Sequence, residues 1–162
     1  MSAPGTLQGG CLCGAVRYRL LDAPMFVHCC HCTECQRSSG SAFAVNAPIE
    51  RGRLHLIQGR PRRWMVPTDT GRTQDMMRCE HCGTALWSHH PQLGGAIALV
   101  YTGTLDAPHG LVPQVHLFTR SRQPWVPLPP GTVAVEEHYD LERYWPPASL
   151  ARLGAALGAT AS

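Results

Sequence analysis

Four cysteines and a histidine fall within seven residues, Cys29-Cys30-His31-Cys32-Thr33-Glu34-Cys35, and two further cysteine doublets, Cys11-Leu12-Cys13 and Cys79-Glu80-His81-Cys82, are each bounded by glycine. Thiolates grouped this densely are ligands for a borderline-soft metal such as zinc. In C-x-C on an extended chain, side chains i and i+2 share one face, so both sulfurs can converge on one ion. C-x-x-C followed by a glycine able to take φ > 0 is a tight turn presenting two thiolates. Cys11, Cys13, Cys79 and Cys82 therefore supply four sulfurs for a closed tetrahedral zinc. The alternative, that they are buried free thiols acting as small hydrophobes, suits a lone cysteine better than two glycine-bounded doublets. A shared ion would join Cys13 to Cys79, 66 residues apart, and remove about 4 kcal/mol of chain entropy from the unfolded state. This set is a structural staple.

The CCHCTEC segment differs because all its ligands are local. Closing so short a loop is worth under about 2 kcal/mol by the same logarithm, so the fold gains little from a metal there. Chemistry is the more economical reason for it. Two registers are open: Cys29, Cys32 and Cys35, or Cys30, Cys32 and Cys35, the second repeating the i, i+2 geometry. Either leaves three thiolates. His28 or His31 could close the shell, but His31 lies between Cys30 and Cys32 and would point to the opposite face of an extended strand. Three protein ligands with an open position is the arrangement of catalytic zinc. Zinc with three thiolates carries a net −1 charge and is a poor generator of hydroxide. Taking up an external thiol as thiolate and presenting it to a small electrophile suits it better.

The elements that must position these sulfurs read as short strands. The chain has 162 residues, enough for one domain over residues 1–162, and 30 of them are glycine or proline, which favours strands and turns over long helices. Strands are expected over residues 15–20, 41–49, 53–58, 84–89, 96–101 and 114–120; Val16, Tyr18 and Leu20 alternate with Arg17 and Arg19 in the period of a half-buried strand. QPWVPLPPG reads as an irregular surface strap, because its prolines cannot donate to a ladder. A helical tail is expected over about 147–158, with Leu150, Leu153 and Leu157 on one face and prolines at its start. The fold class is all-β, sheets stapled by zinc, with a short C-terminal helix.

No run approaches a membrane span, and MSAPGTLQGG lacks the basic and apolar regions of a secretory signal, so a reducing cytoplasm is the expected setting and the eight cysteines are expected free of disulfides. The formal charge of +3 comes with fourteen arginines and no lysine. Seven thiolates holding two Zn²⁺ contribute −3 and cancel it, so charge gives no support to nucleic-acid binding, even with Arg60, Arg62, Arg63 and Trp64 clustered as they are.

These residues resemble the family of glutathione-dependent formaldehyde-activating enzymes, which includes centromere protein V. The likeness runs over about residues 9–126 through GGCLCGAVRYRL, CHCTECQRSSGSAF, RCEHCGTALW, GTLDAP and VPQVHLFTRSRQPW. It implies a β-tent-like fold with two zincs per chain: a structural one on Cys11, Cys13, Cys79 and Cys82, and a catalytic one on Cys30, Cys32 and Cys35. Cys29 then stands outside the motif. The implied activity is a carbon–sulfur lyase, condensing glutathione with formaldehyde to S-(hydroxymethyl)glutathione. Two departures stand out. Arg78 occupies the position before the C-x-x-C turn where an aromatic is common, and VPLPPG follows the PW where an acidic residue is common.

Other residues are weighed against plainer roles. Arg37, directly after the second cysteine turn, is the candidate partner for a glutathione carboxylate, against a solvated surface charge. Cys29 is a small core residue or a redox-sensitive neighbour. His116 is a hydrogen-bonded structural histidine, His81, His89 and His90 are surface residues, and Trp87 and Trp125 pack in core or strap, or wall a ligand pocket. The second reading of the chain is a non-catalytic zinc-binding module, a glutathione carrier or a chromatin-type interaction protein. A third is a redox or zinc sensor using Cys29. Oligomeric state is not legible.

Overall fold

A computed structural model describes residues 7–159. Its strands are β1 (Leu7–Gly10), β2 (Arg17–Leu20), β3 (His28–Cys30), β4 (Ala44–Glu50), β5 (Leu54–Gln58), β6 (Arg62–Pro67), β7 (Thr73–Arg78), β8 (Ala85–His89), β9 (Ile97–Tyr101), β10 (Val115–Leu117) and β11 (Val133–Ala134). Helices are α1 (Thr33–Ser39), α2 (Leu141–Tyr144) and α3 (Pro147–Gly158). The strands form two sheets, one ordered β1-β2-β5 and one ordered β11-β10-β3-β4-β9-β8-β7-β6. The fold is all-β with a C-terminal helix. No helix among the described residues is long and apolar enough to cross a membrane.

All six expected strands are present, although the expected 114–120 shrinks to β10 and 41–49 starts later, at Ala44. The helix expected over 147–158 is α3. Residues 123–131 contain no strand, in keeping with the proline strap. Five strands, α1 and α2 were not expected, and Trp125 is 73% exposed rather than packed.

Period-2 alternation sets the two faces of the large sheet. On one face Ala47 and Ile49 of β4, Ala98 and Val100 of β9, and Trp87 of β8 pack against Tyr18 and Leu20 of the small sheet and Val16 just before β2. Tyr18 and Trp87 meet edge to face at 5.7 Å, and the Tyr18 hydroxyl bonds Thr104 at 2.6 Å. Burying each such side chain contributes about 1.5–3 kcal/mol. The opposite face is covered at one end by a second cluster, in which Met25, Phe26, Ile97 and Leu99 meet Trp145 and Leu153. The C-terminal segment reaches that face through β11, which runs parallel to β10, and through the Phe118 and Thr119 amides, which donate to Glu137 and Val135 at 3.1 Å. The Arg152 guanidinium forks onto Glu50 at 2.8 and 2.6 Å.

Candidate metal centres and an adjoining cavity

The two glycine-bounded doublets fold into turns of the same build. The Gly14 amide closes one onto Cys11 O at 3.1 Å, and the Gly83 amide closes the other onto Cys79 O at 2.9 Å. Both glycines are left-handed, at φ 76° and 74°, a region that a side chain would disfavour. The turns meet through Thr84, whose hydroxyl accepts from the Leu12 amide at 3.2 Å and lies 3.1 Å from Cys82 Sγ. The four sulfurs lie within 4.8 Å of one another, with Cys11–Cys13 at 3.5 Å and Cys13–Cys79 at 3.8 Å. Zn–S bonds of about 2.3 Å in a tetrahedron put sulfurs ~3.8 Å apart, so this donor set fits zinc. Hydrogen bonds from the Thr84 hydroxyl and from the Thr84 and Cys13 amides pull the exposed Cys82 thiol down to about 5.

The second set sits where β3 runs into α1. Cys32 is the N-cap of that helix, its sulfur accepting from the Cys35 amide at 3.3 Å, so one side chain serves both helix and cluster. Cys30, Cys32 and Cys35 lie within 4.8 Å of one another. Hydrogen bonds from the Cys30 and Cys35 thiols, then from the Cys35 and Glu34 amides, draw Cys32 down to about 2. The contact with Cys32 pushes Cys30 up to about 12, and the contacts with Cys30 and Cys32 push Cys35 far up. Of the three thiols, Cys32 is the one whose thiolate the others stabilise. A cation bound among them would favour loss of the remaining protons.

Strand alternation sends Cys29 and His31 to the other side of β3. His116 of β10 is the register partner of Cys29, so it projects to that same side. His31, fully buried, comes within 3.0 Å of His116 Nδ1 and 3.6 Å of Cys29 Sγ. These three form a further group of metal-type side chains, invisible in sequence because His116 is 85 residues from His31. The two nitrogens stand at hydrogen-bond distance, closer than the ~3.3 Å separating two ligands on one tetrahedral zinc. Burial pushes the Cys29 thiol up to about 12. The His31 carbonyl accepts from Gln36 Nε2 at 2.8 Å and Ser121 Oγ at 2.9 Å, which fixes the backbone between Cys30 and Cys32.

A cavity of about 680 Å³ opens beside Cys30, Cys32 and Cys35. Its floor is the large sheet, read row by row along the strands. His28, Asn46 and Tyr101 are register neighbours and make a polar row next to the sulfurs. Pro48, Leu99 and Ser88 follow as the next row. The His28 ring sits 3.0 Å from the Tyr139 hydroxyl, which accepts from Trp145 Nε1 at 3.0 Å. Burial, with His138 and His90 nearby, lowers His28 to about 4 and keeps it neutral. His90 also lines the cavity, having been expected at the surface. Arg37 is exposed and does not line the cavity.

Sequence reading passed over Arg78 as a mere departure from a pattern. Its guanidinium donates to Ser38 O of α1 at 2.6 Å and to Gly83 O at 3.0 Å, tying the helix of one cysteine set to the turn of the other. An arginine one residue before the C-x-x-C was the available signal.

The sequence model of the glutathione-dependent formaldehyde-activating enzyme family matches residues 6–121, most of the chain. The chain belongs to that family. A Halomonas elongata protein, provisionally named a glutathione-dependent formaldehyde-activating enzyme, is 27% identical over 128 residues, covering 75% of this chain and 80% of its own length. A crystal structure of a Rhodobacter sphaeroides protein is 24% identical, covers 62% of this chain and 88% of that one, and superposes with a TM-score of 0.48.

Proposed function

We propose that the chain is a zinc-dependent enzyme of the carbon–sulfur lyase type. It binds a small thiol, glutathione first among them, and condenses it with formaldehyde or a related carbonyl to an S-hydroxymethyl adduct. The observation carrying this reading is the contrast in donor sets. Four sulfurs form a complete shell at one place, while three sulfurs beside a 680 Å³ cavity leave a position for a ligand. In this proposal two zincs bind per chain, one on Cys11, Cys13, Cys79 and Cys82, the other on Cys30, Cys32 and Cys35. Zinc at the second set supplies a Lewis acid that makes a bound thiol acidic.

The residues of the chain orient the rest. Asn46, Tyr101 and neutral His28 offer hydrogen bonds in the row next to the sulfurs. The thiol sulfur forms its bond to the carbonyl carbon while the C=O π pair moves onto oxygen, which gains the proton the thiol gave up. No oxidant or reductant is needed. All eight cysteines are free, which suits a reducing compartment, and we place the protein in the cytoplasm, working on small molecules and not on nucleic acid. Arg37, exposed on α1, would serve a glutathione carboxylate only outside the cavity. The matched region and the C-terminal helix are proposed to act as a single domain.

A native mass spectrum of protein purified without chelator, with glutathione titrated in, tests the site. Two zincs and a saturable glutathione adduct, lost in Cys32→Ser, are expected, with faster hemithioacetal formation from formaldehyde than in buffer. Two zincs with no adduct would sink the open-site reading. An adduct without rate gain would make the protein a glutathione carrier.

A further inference from the structure

Resting on that reading, we infer that the substrate of this cavity carries an apolar chain or ring on the carbon that bonds to sulfur: the electrophile is an aldehyde larger than formaldehyde. The argument begins with the register. Cys30 stands opposite Ala44 on β4, and Pro48 lies four residues further along that strand, about 13 Å away at the rise of a β-strand. Over that distance the wall changes character. The row at His28, Asn46 and Tyr101 is polar; beyond it come Pro48 and Leu99, and Leu93, Leu141 and Trp145 of the lining pack in the same apolar cluster as Leu99.

Three polar atoms at this far end already have partners. Ser88 Oγ accepts from Gln74 Nε2 at 2.7 Å, Trp145 Nε1 donates to Tyr139, and His90 Nδ1 accepts from the Gln92 amide at 3.3 Å. Arg120, the arginine in the lining, is paired with Glu137. A glutathione carboxylate placed at this end would find an apolar wall and little to bond. Formaldehyde adds one carbon to sulfur and would leave the same wall against water. An alkyl or aryl group running from the sulfur past Asn46 would cover it.

Two of the five builders of this end also come from outside the matched family region. Leu141 and Trp145 lie beyond residue 121, held in place by Phe26, which stacks on Trp145 at 5.3 Å between centroids. The C-terminal segment thus completes the apolar end of a pocket whose sulfur-bearing end lies within the matched region.

The test is calorimetric titration of S-methylglutathione and S-hexylglutathione into the chain purified without chelator. Each buried methylene is worth about fourfold in affinity, so the hexyl compound is expected to bind at least about thirtyfold tighter. A ratio within about threefold of one overturns the inference. Leu141→Ser and Leu93→Ser, which alter two half-buried side chains, should each cut that ratio several-fold; a ratio unmoved by both overturns the placement. A parallel comparison of hexanal and formaldehyde with glutathione should give the larger kcat/KM to hexanal, and a larger value for formaldehyde counts against the aldehyde assignment. Absence of turnover with either aldehyde, beside an intact hexyl preference, sinks the proposed catalysis while supporting the apolar end.

Discussion

The two cysteine sets use the same atoms in opposite ways. The four-sulfur set draws its sulfurs from turns 66 residues apart, after β1 and after β7, with Cys13 and Cys82 at the surface. The three-sulfur set draws its sulfurs from six consecutive residues and faces a cavity. Loop-closure entropy rewards the first arrangement and hardly notices the second. With a metal at each, sequence separation between the sulfurs would distinguish a site that holds the fold from one that the fold holds.

The largest effect should come from removing one ligand of each set. Cys79→Ser is expected to lower unfolding free energy by about 4 kcal/mol, the entropy its loop no longer constrains. Cys32→Ser should cost under about 2 kcal/mol yet abolish glutathione binding. Urea unfolding of both variants checks this, and equal destabilisation would erase the distinction drawn above.

Reactivity sharpens the contrast in metal-free protein. At pH 7 iodoacetamide should modify Cys82 first, since it is exposed and held down near 5 by Thr84, and Cys30 and Cys35 last. Its folded pKa lies below the unfolded value, so the thiolate is fully present above about 6. The Cys82 rate should then stay flat from pH 7 to 9, where an ordinary thiol gains nearly tenfold per unit until its own pKa. Peptide mapping after timed alkylation decides it; a tenfold rise for Cys82 would remove the proposed hydrogen-bonded thiolate.

The smallest effect tests whether the two sets are independent at all. Arg78→Ala deletes the guanidinium that joins Ser38 O to Gly83 O. It should cost about 1–2 kcal/mol and weaken glutathione binding a few-fold, while both zincs remain on native mass spectrometry. Unchanged binding would mean that the helix N-capped by Cys32 needs no support from the other turn.

Much of this was readable from residue order, and the failures have physical causes. The sulfur groups were legible because their ligands are neighbours or glycine-bounded turns. β6 escaped because it is exposed on both faces, with Trp64 and Met65 at 49% and 66%, so burial leaves no alternation in RRWMVP. β3 escaped for the opposite reason: Cys29 and Cys30 are both buried, and three residues carry no period. α1 is seven residues long and buries none of them, so it has no apolar stripe. The cavity was out of reach because its rows are defined by pairings such as His28–Asn46–Tyr101, and its far wall by a C-terminal segment. Arg37 was chosen by proximity in sequence, and helical geometry turned it to solvent.

The cavity wall runs from His28 to Trp145, and its floor needs β3, β4, β8 and β9 side by side. A peptide copying residues 28–40 would keep Cys30, Cys32 and Cys35 and could still take up a metal, yet it would have no surface with which to choose among substrates. Ligation and recognition are thus divisible here, the one portable in a dozen residues, the other existing only in the assembled sheet.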